Sequence, residues 1–252
     1  MVRLLAWVSL IAGLPLLQTP ANRTPVTVSA AISLTEALEV AARQWASLGG
    51  LPVRFNFAAS NVLARQIAAG APVDLFVSAD AAQMDVAQAS GEIDTTTRVD
   101  LLTNRLAVVS SRVAIADLRA LLQPAIARIA IGDPEAVPAG VYTRQYLRAV
   151  GQWEALRPRL VPVGSVRAAL AAVESGGADA AFVYESDTAV LRHAVAAFVI
   201  SDPAAPRIVY PAAIARRGGN RAGAERFLTF LRSKAAAAIF QQFKFTPVSG
   251  TE

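Results

Sequence analysis

Few residues of this chain could carry covalent chemistry. Cysteine is absent and His193 is the only histidine. No thiol nucleophile, cysteine-ligated metal or disulfide framework can be built, and a multi-histidine metal site is excluded as well. A serine–histidine–aspartate triad would have to use His193, in the short stretch Leu191-Arg192-His193-Ala194 just ahead of a strand. A histidine there reads as an exposed loop residue. An enzyme built on Asp187 or Asp133 with His193 is therefore the weaker reading, and the chain is read as a non-enzyme. Mutating His193 while assaying ligand binding separates the two.

The chain does offer neutral hydrogen-bond donors at strand-to-helix junctions. Ser33 stands at a helix start in AAISLTEAL and Ser60 in AASNVLARQ; Ala139 and Gly140 precede a helix in GDPEAVPAGVYTRQYL, as Ser165 and Val166 do in VPVGSVRAALAAV. Helix starts expose unpaired N–H groups and about half a positive charge. In open α/β sheets, ligands collect beyond the carboxyl ends of strands, so such junctions suit an anion. Each serine also has a structural reading. Ser33-x-x-Glu36 has the form of a capping box, and Ser60 and Ser165 fit as N-caps. A hydroxyl can cap and still donate its hydrogen outward. Asp80 reads as the cap of a helix from Ala81, Asp133-Pro134 as a turn, and Pro138-Ala139-Gly140 as a place where backbone can approach a ligand closely. Tyr184, taken alone, is a strand-end core residue with its hydroxyl at the surface.

These junctions require an alternation of strands and helices, and one runs from Pro25 onward. Strands are predicted over 26–29, 53–57, 74–77, 105–109, 128–131, 160–163, 180–184, 195–200 and 208–215. The clearest helices are 34–46, 61–69, 81–89, 141–150, 166–174, 222–231 and 235–243. There is no fixed-period repeat and no low-complexity linker. A two-domain chain would therefore cross between its halves along strands, near Leu102 to Val109 and again near Arg207 to Ala213.

With 252 residues, 54% hydrophobic and 17% charged, the chain can bury a sizeable core, and disorder is excluded. The net charge is +5, and of the 24 basic residues only Lys234 and Lys244 are lysines. The arginines are scattered apart from Arg216-Arg217, with none of the clustering and interleaved aromatics of a nucleic-acid surface; no nucleic-acid partner is expected. Arg3, the apolar stretch Leu4 to Leu17 and the small polar exit Gln18-Thr19-Pro20-Ala21-Asn22 have the order of a secretory signal peptide over residues 1–21. The mature product is then expected outside the cytoplasm.

AAISLTEAL, AASNVLARQIAAGAPVDLFVSAD, IAIGDPEAVPAGVYTRQYL, SVRAALAAVESG and AFVYESDTAV resemble, in the same order, segments of periplasmic molybdate-binding proteins, the substrate-capture components of ABC importers. The resemblance covers about Val26 to Phe245. It implies an α/β, two-lobed periplasmic-binding-protein fold of type II, each lobe a mixed sheet flanked by helices, with the ligand cleft between lobes. Lobe 1 would comprise residues 24–104 and the return segment 208–252, and lobe 2 residues 105–207. By the same resemblance the ligand is molybdate or tungstate, held by Ser33, Ser60 and Tyr184 through hydroxyls and by Ala139 and Val166 through backbone N–H. The metal enters only inside its oxyanion, with no protein atom coordinating it and no cofactor required. The implied partners are the small anion and a membrane permease, the protein itself being a periplasmic monomer. A binding protein for sulfate or another small tetrahedral oxyanion is the alternative.

Two positions depart from the family pattern. Asn61 stands where a hydroxyl residue is common, and Glu185 where a small one is. Because a carboxylate in the cleft would repel the anion, Glu185 is expected to face solvent. The segment from Ser111 to Arg128 is also short for the family, which affects the periphery.

Overall fold

The computed structural model describes residues 24–111 and 114–248; the leader assigned to residues 1–21 lies outside them. Among the described residues eleven strands form two mixed sheets. The first takes β1 (Val26–Ala31), β2 (Val53–Ala58), β3 (Leu75–Val77), β4 (Val99–Asn104), β10 (Ile208–Ile214) and β11 (Thr246–Pro247), in the order β11-β4-β10-β3-β1-β2. The second takes β5 (Leu106–Ser110), β6 (Ile129–Gly132), β7 (Leu160–Val163), β8 (Ala180–Tyr184) and β9 (Val195–Val199), in the order β7-β6-β8-β5-β9.

Each sheet mixes parallel and antiparallel pairs. β1 pairs parallel with β2 and β3, and β6 with β7 and β8, whereas β10, β11, β5 and β9 join antiparallel. Burial follows position in the sheet: the inner strands β1, β3, β10, β5, β6 and β8 are buried almost throughout, whereas the edge strands β2 and β7 are not. Pro211 sits inside β10, where the register against β4 shifts between Tyr210 and Pro211, one of the few places a sheet tolerates proline.

Eight α-helices complete the layers: α1 (Thr35–Ser47), α2 (Ser60–Ala68), α3 (Ala81–Ala89), α4 (Pro138–Ala149), α5 (Trp153–Leu156), α6 (Val166–Glu174), α7 (Arg221–Leu231) and α8 (Lys234–Gln242). Several caps fall where the sequence puts them. Asp80 accepts from the Gln83 N–H at 3.0 Å, and Ser165 from the Ala168 N–H at 3.1 Å. Trp45 of α1 packs against Phe227 and Phe230 of α7, with ring centroids 5.9 and 5.4 Å away. This ties the returning C-terminal helices to the first sheet.

The chain passes between the sheets twice. At the first crossing β4 ends at Asn104 and β5 begins at Leu106, leaving Arg105 as the only residue between them. A single strand over 105–109 is predicted from the sequence. β4 escapes that reading because its partners, β10 and β11, lie more than a hundred residues further on. Glu185 is where expectation and structure part. It does not face open solvent: its carboxylate takes the Arg105 Nε and Nη2 at 2.8 and 3.0 Å, with the side chain only 18% exposed. The charge is paired with Arg105 at the crossing.

Candidate functional site

β1 and β2 end where η-type and α-helical turns begin on the first sheet, and β6, β7 and β8 end facing them from the second. Between the two lies a small cavity. From the first half it is lined by Ala31, Ile32, Ser33, Ala59, Ser60 and Ala79; from the second by Val137, Pro138, Ala139, Val166 and Tyr184. All five residues singled out from the sequence, Ser33, Ser60, Ala139, Val166 and Tyr184, therefore meet at one place. Among the described residues no lysine, arginine, aspartate or glutamate lines it.

Neither first-half serine caps its helix. Ser33 lies in a 3-10 turn, Ile32–Leu34, that precedes α1, and α1 has no side-chain cap. The capping box with Glu36 does not form, because the extra turn carries Ser33 off the helix start and Glu36 is held by Arg167 from the other half, at 2.6 and 3.1 Å. The Ser33 hydroxyl instead lies 3.0 Å from that of Tyr210. Ser60 is the first residue of α2, and Ala59 is the N-cap. A residue already in helical conformation cannot fold its side chain back as a cap does, and the Ser60 hydroxyl accepts the Ala79 N–H at 2.9 Å. That bond uses a lone pair and leaves the hydroxyl hydrogen to donate elsewhere.

On the second half, α4 begins three residues earlier than the predicted Val141. Pro138 occupies its first turn, where the missing N–H costs nothing. The N–H groups of Ala139 and Val166 fall within the first turns of α4 and α6, where no intrahelical acceptor exists. With α2, three helix N-termini converge here, from helices of 9, 12 and 9 residues. Tyr184 is 1% exposed. Among the described residues its hydroxyl has no hydrogen-bond partner. Burial first, and then the neighbouring Tyr210, push this phenol well above the usual tyrosine range, so it stays a protonated donor at neutral pH. The reading of Tyr184 alone, hydroxyl at the surface, is thereby replaced.

A second layer holds the first. The Tyr184 N–H donates to Asp187 Oδ2 at 2.9 Å, and Asp187 Oδ1 lies 2.9 Å from Arg167 Nε. Asp187 is fully buried, and burial pushes its carboxyl up to about 6 against the lowering influence of Arg167 and the Tyr184 N–H. Arg167, next to Val166, spends its charge on Asp187 and Glu36 and also reaches the Ser33 carbonyl at 3.4 Å. Sequence reasoning missed Arg167, Tyr210 and Asn104. Their partners stand 20 to 177 positions away, so no local pattern marks them. His193 is exposed and remote from this cavity. Among the described residues no group of three or more His, Asp or Glu side chains could hold a metal ion.

The site therefore presents donors to whatever enters it: two serine hydroxyls, a phenol and backbone N–H groups, with three helix dipoles behind them. A family model described as bacterial extracellular solute-binding protein matches residues 26–246. The molybdate-binding protein ModA of Escherichia coli is 38% identical, over 95% of this chain and 98% of its own length. The periplasmic molybdate-binding protein of Azotobacter vinelandii superposes with a TM-score of 0.80 at 26% identity, over 88% of this chain and 98% of that one. The sulfate-binding protein SubI of Mycobacterium tuberculosis shares the fold, with a TM-score of 0.75 at 18% identity over 89% of this chain and 87% of that one.

Proposed function

The chain belongs to the bacterial extracellular solute-binding proteins, and from that premise we propose that it captures molybdate, and tungstate with it, in the periplasm for an ABC importer. The observation that carries this reading is the convergence of Ser33, Ser60, Ala139, Val166 and Tyr184 on one cavity, with a buried phenol that has no hydrogen-bond partner among the described residues. A fully deprotonated tetrahedral dianion offers acceptors only, and a wall of donors is its complement. The proposed contacts are the three hydroxyls and the N–H groups of Ala139 and Val166. Five charge-assisted bonds at roughly 1.5–3 kcal/mol each give on the order of 8–15 kcal/mol. No cation in the lining is needed. A protonated anion such as hydrogen phosphate would bring a donor with no acceptor carboxylate to meet it.

Calorimetry and thermal melting of the leaderless protein with molybdate, tungstate, sulfate and phosphate test this. Molybdate at a hundredfold excess over Kd should stabilise the fold by about 2.7 kcal/mol. Sulfate has the same charge and shape and a smaller radius, and should bind more weakly. An unmoved melting curve together with no heat from molybdate would end the proposal, and tight sulfate binding alone would transfer it to sulfate.

The two serines should separate under mutation. Ser33→Ala and Ser60→Ala each weaken molybdate binding by about 1–3 kcal/mol. Ser60→Ala also strands the Ala79 N–H, so its ligand-free stability falls by about 1–3 kcal/mol. Equal affinity for wild type and both variants in calorimetry would remove the serines from the site.

A further inference from the structure

Ser33 is the end of a buried hydrogen-bond chain whose direction can be worked out from the one group that cannot be reversed. Asn104 accepts the Arg105 N–H on Oδ1 at 2.9 Å. A backbone N–H only donates, so this bond fixes the orientation of the amide. The two Nδ2 hydrogens then go to Ser186 Oγ at 2.9 Å and to Tyr210 Oη at 3.3 Å. Distance alone lets either oxygen of the Tyr210–Ser33 pair donate, at 3.0 Å; because Asn104 already donates to Tyr210, and Ser33 Oγ is the other polar atom bonded to that hydroxyl among the described residues, the single Tyr210 hydrogen is assigned to Ser33. Ser33 thus accepts, and its own hydrogen is left for the cavity it lines. All four side chains are buried, at 7% exposure or less. Asn104 ends β4 at the first crossing, Tyr210 lies on the strand after the second, and Ser186 follows Tyr184.

We propose that Asn104 and Tyr210 are positioning residues that set the polarity of Ser33, making it an obligate donor to the bound oxyanion. The proposal rests on the anion-capture reading and deepens it. Neither residue touches the anion; they act by deciding which way the Ser33 hydrogen points. Reversal needs only an exchange of amide for carboxylate. In N104D the former amide position becomes an acceptor, Tyr210 turns its hydrogen toward it, Ser33 must donate to Tyr210, and lone pairs face the anion instead of a hydrogen.

The test is a double-substitution cycle read as the Kd for molybdate by calorimetry. Y210F removes the hydroxyl and keeps the ring that packs edge-on against Tyr184 and Phe245; it should weaken binding about 5- to 30-fold. N104D should weaken it by about 10- to 100-fold with Tyr210 present, but by less than about threefold in the Y210F background, where the relay is already cut. Simple repulsion between a new carboxylate and the anion would cost the same factor in both backgrounds, and that result would overturn the proposal. So would a Kd for Y210F within about twofold of wild type. Should N104D fail to fold, S33A and S33A/Y210F decide alone: the relay requires equal affinities, and a further loss in the double variant refutes it. A wild-type protein that binds no molybdate fails the capture reading, and the relay with it; wild-type binding with a flat cycle fails only the relay.

Discussion

Gly140→Ala is expected to cost at least about 3 kcal/mol of folding stability, although it is a helix residue gaining a better helix former. A Cβ at this position would stand 2.0 Å from the Gly132 carbonyl oxygen and 2.6 Å from that of Asp133. Both are backbone atoms at the end of β6, and neither can swing aside as a flexible side chain would. Helix α4 therefore has to retreat from the sheet. The retreat carries Ala139, the preceding residue, away from the cavity, so molybdate affinity should fall with stability. Gly164→Ala is the control: nothing lies within 4 Å of its added Cβ, and it should leave stability within about 0.5 kcal/mol. Urea unfolding without ligand measures both. A loss under about 1 kcal/mol for Gly140→Ala would show that the helix start is not pressed against the sheet as described.

Arg167→Ala should be comparably severe, with a cost that depends on pH. Removing the guanidinium strands Asp187, whose side chain has no exposure, beside Glu36. Breaking a buried pair from one side costs about 3–5 kcal/mol. The half-exposed Glu36 contact contributes a smaller share because solvent screens it. Burial already holds the Asp187 carboxyl up to about 6, with Arg167 the main influence lowering it, so deleting Arg167 raises it further. A carboxyl raised in the folded state contributes stability at low pH that is lost as pH rises through its folded value. At about pH 5 Asp187 is largely protonated in both proteins and the penalty is modest; at about pH 8 the wild type has its ion pair while the variant must bury a lone charge or hold a proton. Chemical denaturation should show the difference between the two proteins widening from about pH 5 to about pH 8. A constant difference would mean that Asp187 is not the group left stranded.

Much of the site is legible in the sequence, because its parts are local. Asp80 and Ser165 cap helices that start one residue later, and Val166 falls in the first turn that Ser165 announces, whereas Ala139 falls in the first turn of a helix that starts at Pro138 and not at the expected Val141. What the sequence hides depends on distance along the chain. Ser33-x-x-Glu36 is a sound local pattern, yet Glu36 is taken by Arg167, 131 positions on, and the 3-10 turn before α1 moves the serine toward Tyr210. The two-residue β11 and the strand β4 exist because of pairings with remote segments. Glu185 invites the assumption of an outward carboxylate, since only the three-dimensional crossing brings Arg105 to it.

The two sheets differ in how their strands are drawn from the chain. Every strand of the second comes from one unbroken stretch, Leu106 to Val199, whereas the first interleaves β1 to β4 with β10 and β11. As the polypeptide emerges from the ribosome, the middle portion can consolidate early. The opening portion keeps β3 and β4 without the strand between them until Ile208 to Ile214 arrives, and its edge is sealed only by Thr246-Pro247. Nascent or C-terminally clipped chains should hence display unsatisfied strand borders from the amino-terminal half. Those borders are where holdase chaperones and self-association would act first.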